Sequence, residues 1–260
     1  MQRHSLFWGS ALILGGVLLY LQVEGIIQNV FQYFWPVALI LVGGWIILNV
    51  FWKPEPSEGE TFTVPLEAAR SAQYKFSHGA GQIVIGGGAG SGVALVGSSA
   101  VGMNYHSHLN GGRLDVKVEA GPSFFPFVGP EEGVWRFKIT QEIPVSLTVE
   151  AGASQLDIDL KDVLASHVEL KTGASNSNVT MPARGASILD VEAGAASINV
   201  RVPENVPARV RAEQGVSSIN VDTNRFPRTA SGFYQSPNFD TSADRVEVNI
   251  KAGLGSISVR

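Results

Sequence analysis

The chain has 260 residues, 45% of them hydrophobic and 16% charged, with a formal net charge of −4, 29 glycines and no cysteine. Without cysteine there are no disulfides, thiolate metal sites or cysteine nucleophiles. No lysine- and arginine-rich cluster stands out, so the electrostatic footprint of a nucleic-acid binder is missing and no nucleic-acid partner is expected.

Leu6 to Val23 and Val30 to Trp52 are uncharged stretches of 18 and 23 residues. About 20 apolar residues cross a bilayer as a helix. The pattern therefore predicts a transmembrane helical hairpin over residues 1–53, with spans at about 6–23 and 30–52. Trp8, Tyr20, Tyr33, Trp35 and Trp52 lie near the ends of the spans, as interfacial aromatics do. Gly15, Gly16, Gly43 and Gly44 fall mid-helix, where small residues let helices pack closely. Pro36 falls in the first turns of the second span, where a missing N–H costs little. A cleaved signal peptide is the competing reading of residues 1–22, but no small-x-small site follows and a second apolar stretch does. Arg3 and Lys53 flank the outer ends and the link carries only Glu24. The positive-inside rule then places both ends, and the remainder of the chain, on the cytoplasmic side of a multi-pass cell-membrane protein. Residues 54–60 are a proline-rich, acidic linker.

Residues 61–260 are organised by glycines at 152, 173, 194 and 215, each 21 residues after the last. Around each one, apolar residues alternate with polar ones: Leu147 and Val149, then Leu156 and Ile158, in the first unit; Leu189 and Val191, then Ile198 and Val200, in the third. This predicts two short strands per unit with one buried face. The inward positions three before and four after the glycine differ by an odd number, so the chain must bend or bulge there, where glycine relaxes the backbone. Outlying copies surround Gly79, Gly121 and Gly253, the last after an insertion at about 224–240. The expected fold is an all-β solenoid of 21-residue, two-strand repeats; an antiparallel β-sandwich with evenly spaced hairpins is the alternative.

The search for chemistry yields little. The run Gly86–Gly92 leads into a strand-like Val93–Val96 and reads as a turn, not a phosphate cradle. His106 and His108 share a strand face and are the best metal candidates, against the reading that both are exposed histidines with no acidic partner before Asp115. Asp157 and Asp159 are replaced in later repeats by residues that include Arg201, which argues for a solvated face. No catalytic constellation, cofactor or metal is expected. Two segments break the repeat. Phe124, Phe125 and Phe127 lie in a proline-rich run, and Phe226, Phe233, Tyr234 and Phe239 lie in the insertion. They are candidate partner contacts, or else caps over the open ends of the stack.

The stretches Arg3–Gly9, Gly15–Leu19 and Phe34–Gly43 resemble the LiaI/LiaF-like transmembrane region of bacterial membrane proteins. The repeats, with the ending Gly253-Leu254-Gly255-Ser256-Ile257, resemble the toast-rack β domain that follows such hairpins. The resemblance implies a cell-envelope stress protein, an accessory regulator that restrains a membrane histidine kinase responding to cell-wall-active antibiotics. It supplies no catalytic residues. The leading expectation is a non-enzymatic, membrane-anchored protein that regulates or scaffolds a membrane partner, a sensor histidine kinase or an envelope protein. The alternative is a structural or adhesin-like module that self-assembles as a homo-oligomer.

Overall fold

The computed structural model describes residues 60–99, 103–120 and 134–260, with a turn at Glu24–Gly25. The chain divides into Met1–Glu55 and Pro56–Arg260, and every described strand belongs to the second unit. The expected spans 6–23 and 30–52, with Gly15, Gly16, Gly43 and Gly44, lie outside the described residues, as do Phe124, Phe125 and Phe127. Among the described residues no helix is long and apolar enough to cross a membrane.

Among the described residues, twelve strands form one mixed sheet. In chain order they are β1 (Glu60–Pro65), β2 (Ser71–Gly87), β3 (Val93–Ser99), β4 (Met103–Asn110), β5 (Arg113–Ala120), β6 (Val134–Ile139), β7 (Val145–Asp159), β8 (Ala165–Thr180), β9 (Ala186–Arg201), β10 (Ala208–Val221), β11 (Tyr234–Gln235) and β12 (Arg245–Val259). Six are 14 to 17 residues long and stack in parallel as β2-β7-β8-β9-β12-β10. Along this stack His78, Ala151, Thr172 and Ala193 are paired in turn just before the repeat glycines, so the glycines form a line.

Each long strand bends at that line. In β7 the buried side chains are Val145, Leu147, Val149 and Ala151 before the bend and Leu156 and Ile158 after it. The burial parity switches, and the sheet folds into two facing layers around one core. The halves before the glycines make the first layer, and the halves after them make the second. Each interior rung buries several Val, Leu or Ile side chains, worth about 1.5–3 kcal/mol apiece. The reason for glycine at the corner differs from the sequence expectation. Gly152, Gly173, Gly194 and Gly253 do not have left-handed φ angles. A Cβ on any of them would instead lie 2.5–2.8 Å from the carbonyl oxygen of the glycine one rung earlier. The corner is a close approach of backbones, and only a residue without a side chain fits it.

The rungs do not stack in chain order, which the repeat alone does not reveal. β12, the repeat around Gly253, lies between β9 and β10 instead of after β10. At the other end β2 lies between β7 and a split rung. β5 pairs with its first half and β6 with its second, at offsets of 42 and 52 residues, so ten extra residues separate the two halves. The turns 140–144 and 202–207 step over the intercalated strands: Ala72 donates its N–H to Pro144 O, and Val202 donates to Arg260 O. Among the described strands, antiparallel pairing, the basis of the sandwich alternative, is confined to the ends of the stack, in β1–β3, β3–β6, β4–β5 and β10–β11.

Candidate functional site

The outward columns of the stack bond along the ladder. Asn178 donates to Asp157 at 2.9 Å and Asn199 donates to Asn178 at 3.3 Å, one rung at a time. Asn249 donates to Asp190 and Thr148 to Glu169 in the same manner. These residues satisfy one another. The recurrence of Asp, Asn, Ser and Thr is therefore a property of the ladder, and the pair Asp157 and Asp159 does not converge on an empty site.

Two positions before the corner runs a row of alternating charge. Following the pairing, it reads Glu150, Lys171, Glu192, Lys251, Glu213. From Lys171 to Glu213, with the corner backbone of Gly173, Gly194 and Gly253, it lines an open groove of about 710 Å³. A hydrogen bond from Lys171, 2.7 Å away, holds the Glu169 carboxyl below the usual carboxylate range, and the same bond raises Lys171. At the start of the row Lys75 bonds Glu150 at 2.8 Å. Every charge here has an opposite charge beside it, so the groove carries no net field with which to select a charged ligand.

His78, one residue before Gly79, is 9% exposed and packs edge-on against Trp135 at 4.3 Å. Its Nδ1 has no hydrogen-bond partner among the described residues, and burial lowers its pKa. The hollow beside it, about 490 Å³, is lined by Ser77, Glu119, Glu150 and Lys171. Periodicity gives no sign of this site, because the other rungs carry Ala, Thr or Gln in the same column.

The β10 end is covered in part by the segment 222–244. Phe226 and Phe239, expected as candidate contacts, are 1% and 4% exposed, and Phe226 joins the buried core. Their burial withdraws both side chains from the surface. Phe233 and Tyr234 remain half-exposed. Arg209 lies between Phe239 at 4.3 Å and Phe233 at 5.6 Å, and bonds Asp240 at 2.7 Å. Arg211 pairs with Glu247 and also faces Phe233. Exposed Arg228 lies over Tyr234 at 6.0 Å, with no carboxylate partner among the described residues. Three arginines and two half-exposed aromatic rings form the most partner-like surface of the domain.

At the opposite end, His106 and His108 are both exposed on β4, across from Lys117 and Asp115. Among the described residues no three His, Asp or Glu side chains could share a metal ion. Tyr105, 43% exposed, stacks on Phe62 at 4.2 Å. His167, placed on an outward column by the repeat, is half-exposed and lies 3.3 Å from Asp190. The glycine-rich segment forms the turn from β2 to β3, with left-handed Gly88, Gly90 and Gly92.

Residues 53–201 match the family described as the N-terminal domain of toast_rack, DUF2154. No curated protein matches the chain in sequence. Among solved structures, a protein from Clostridium sporogenes ATCC 15579, provisionally named for cell adhesion, is similar at TM-score 0.69 and 19% identity, over 79% of this chain and 99% of that one. An adhesin, provisionally so named, from Bacteroides fragilis NCTC 9343 aligns over 80% of this chain and 100% of its own at 11% identity, with a TM-score of 0.31 that carries no argument.

Proposed function

Because the chain belongs to the toast-rack family, we propose that it is a non-enzymatic accessory protein of the bacterial cell envelope. In this reading the apolar stretches 6–23 and 30–52 anchor it in the cell membrane as a helical hairpin, and the β stack, on the cytoplasmic side, restrains or scaffolds a membrane partner such as a sensor histidine kinase. The observation that carries the reading is the spending of the stack's polar residues on one another. Its ladders are bonded rung to rung, which leaves the surface of Arg211, Arg228, Phe233 and Tyr234 as the feature equipped to hold a protein. Affinity capture of the full chain from native membranes tests it, run beside Phe233→Ala/Tyr234→Ala. A kinase or envelope protein retained by the parent and lost from the variant supports the reading; equal recovery from both removes it.

A second reading, an adhesin-like or self-assembling module, draws on the provisional naming of the Clostridium sporogenes protein for cell adhesion. Adhesion needs the β stack outside the cell, whereas contact with a kinase's signalling domains needs it inside. Reporter fusions at the C-terminus separate the two: activity confined to cytoplasmic reporters favours regulation, and activity confined to extracytoplasmic reporters favours adhesion.

A further inference from the structure

The two layers of the stack end unevenly, and the steps at the two ends are opposite in sense. Past β10 the first layer continues into β11, which pairs with Arg209 and Val210. The second layer stops at β10: among the described residues no strand pairs with its outer edge beyond Val210. At the far end the second layer runs two strands past the split rung, through β3 to β1, while the first layer gains only β4. One end is missing a strand in the layer where the other end has one to spare.

The bare edge lacks the devices that blunt sheet edges. Gln214 to Val221 contains no charge and no proline. The core behind it is incompletely covered. Ala212 and Ile219 are half-buried, whereas their equivalents in the next rung, Ile250 and Ile257, are each 1% exposed. Beside the edge, Leu254 is 55% exposed in a column that holds Ala153, Ala174 and Ala195 in earlier rungs.

We infer that this edge receives β1 of a second copy of the chain, so that copies stack head to tail. β1 is antiparallel to β3, which is antiparallel to β6, so β1 runs in the same direction as the rungs and continues the parallel ladder. Past Glu60, β1 is uncharged from Thr61 to Pro65, like Gln214 to Val221. Half-buried Phe62 packs against the core on the inward side of β1, as Ile219 does in β10. A projecting β11 on one copy fills the step beside β4 on the next. Such a contact joins different surfaces on the two copies, and repeated it gives an open chain or a ring. The inference rests on the self-assembling form of the second reading and names the surfaces it would use.

The chain has no cysteine, so introduced thiols report the contact cleanly. Thr63 and Asn220 are exposed and occupy the outward columns of the two strands. In full-length protein in detergent, Thr63→Cys and Asn220→Cys are each expected to stay uncross-linked alone. Mixed, they should form a disulfide-linked pair, and the double variant should form a ladder of covalent multimers. Asn176→Cys, exposed mid-stack, sets the background. Ser218→Lys/Asn220→Lys, which charges the bare edge at two exposed positions, should weaken association about tenfold. Asn220→Cys cross-linking to itself as readily as to Thr63→Cys overturns the head-to-tail arrangement, as does a mixture no more linked than the control. Light scattering on the parent chain separates the failures. Multimers without the Thr63–Asn220 link remove only these surfaces; a monomer at all concentrations removes self-assembly as well.

Discussion

Lys251 Nζ lies 3.7 Å from Glu213 Oε2, although Glu213 belongs to the strand formed one repeat earlier in the chain. Lys251 is also paired in register with Glu192 on its other side. Stacked in chain order, β9 and β10 would set Glu192 beside Glu213. Intercalating β12 separates the two carboxylates with an ammonium and restores the alternation begun by Glu150 and Lys171. The core agrees with the charges. β12 brings Ile250 to an inward position where β10 has only Ala212, and an interior slot filled by alanine would leave a cavity. The smaller rung sits at the end, where inward Ala212 and Ile219 are half-exposed anyway.

Lys251→Glu therefore places three carboxylates in succession. Both partners are well exposed, so the effect is small and salt-dependent. A melting temperature about 2 °C lower at low salt, with the gap narrowing in 0.5 M salt, is expected. Adding Glu213→Lys restores an opposite charge on one side of position 251 and should recover part of the loss. An equal effect at both salt concentrations would place the cause in packing instead.

The corner glycines divide into two kinds. A methyl on Gly173 or Gly194 meets a backbone oxygen at 2.7–2.8 Å, whereas one on Gly79 meets nothing within 4 Å. Gly194→Ala should cost about 1–3 kcal/mol in urea unfolding, as overpacking does, and Gly79→Ala under about 0.5 kcal/mol. Equal costs would mean that conformational freedom, and not contact, selects glycine in this line.

Burial lowers the pKa of His78 in the folded state, so the unfolded chain binds the proton more tightly. Stability is then complete above the unfolded value of about 6.5 and falls as the pH drops below it. Melting temperatures taken between pH 7.5 and 5.5 should decline more steeply for the parent than for His78→Phe. Parallel profiles would assign the acid sensitivity to other groups.

Phe226 and Phe233 lie seven residues apart in one segment, yet one is buried and the other half-exposed. Phe226→Ala should destabilise the domain by about 3–5 kcal/mol. Phe233→Ala, which loses only surface packing and contact with Arg209 and Arg211, should cost under about 1 kcal/mol. Chemical denaturation of the two variants checks the split between cap and contact surface.

Much of the architecture can be read from the sequence because it is local. Alternation assigns the inward columns, as with Val149 and Leu156, and the odd spacing across Gly152 forces a bend. The ladder of Asp157, Asn178 and Asn199 follows from a period that sets like positions side by side. Rung order is not local. The 222–244 segment can carry the chain either to a new outer rung or back into a slot, and nothing in a repeat of 21 residues distinguishes the two. Burial of the insertion aromatics is likewise undecided by composition, since Phe226 and Phe233 are the same residue in the same segment. The tertiary structure settles both through long-range terms: the volume of Ile250 against Ala212, the alternation through Lys251, and the room left at the end of the core. The sequence by itself determined the faces of the strands and the place of each bend, because side-chain alternation is fixed by backbone geometry. Only the folded stack decided which strand neighbours which, because that depends on surfaces that meet when residues far apart in the chain are brought together.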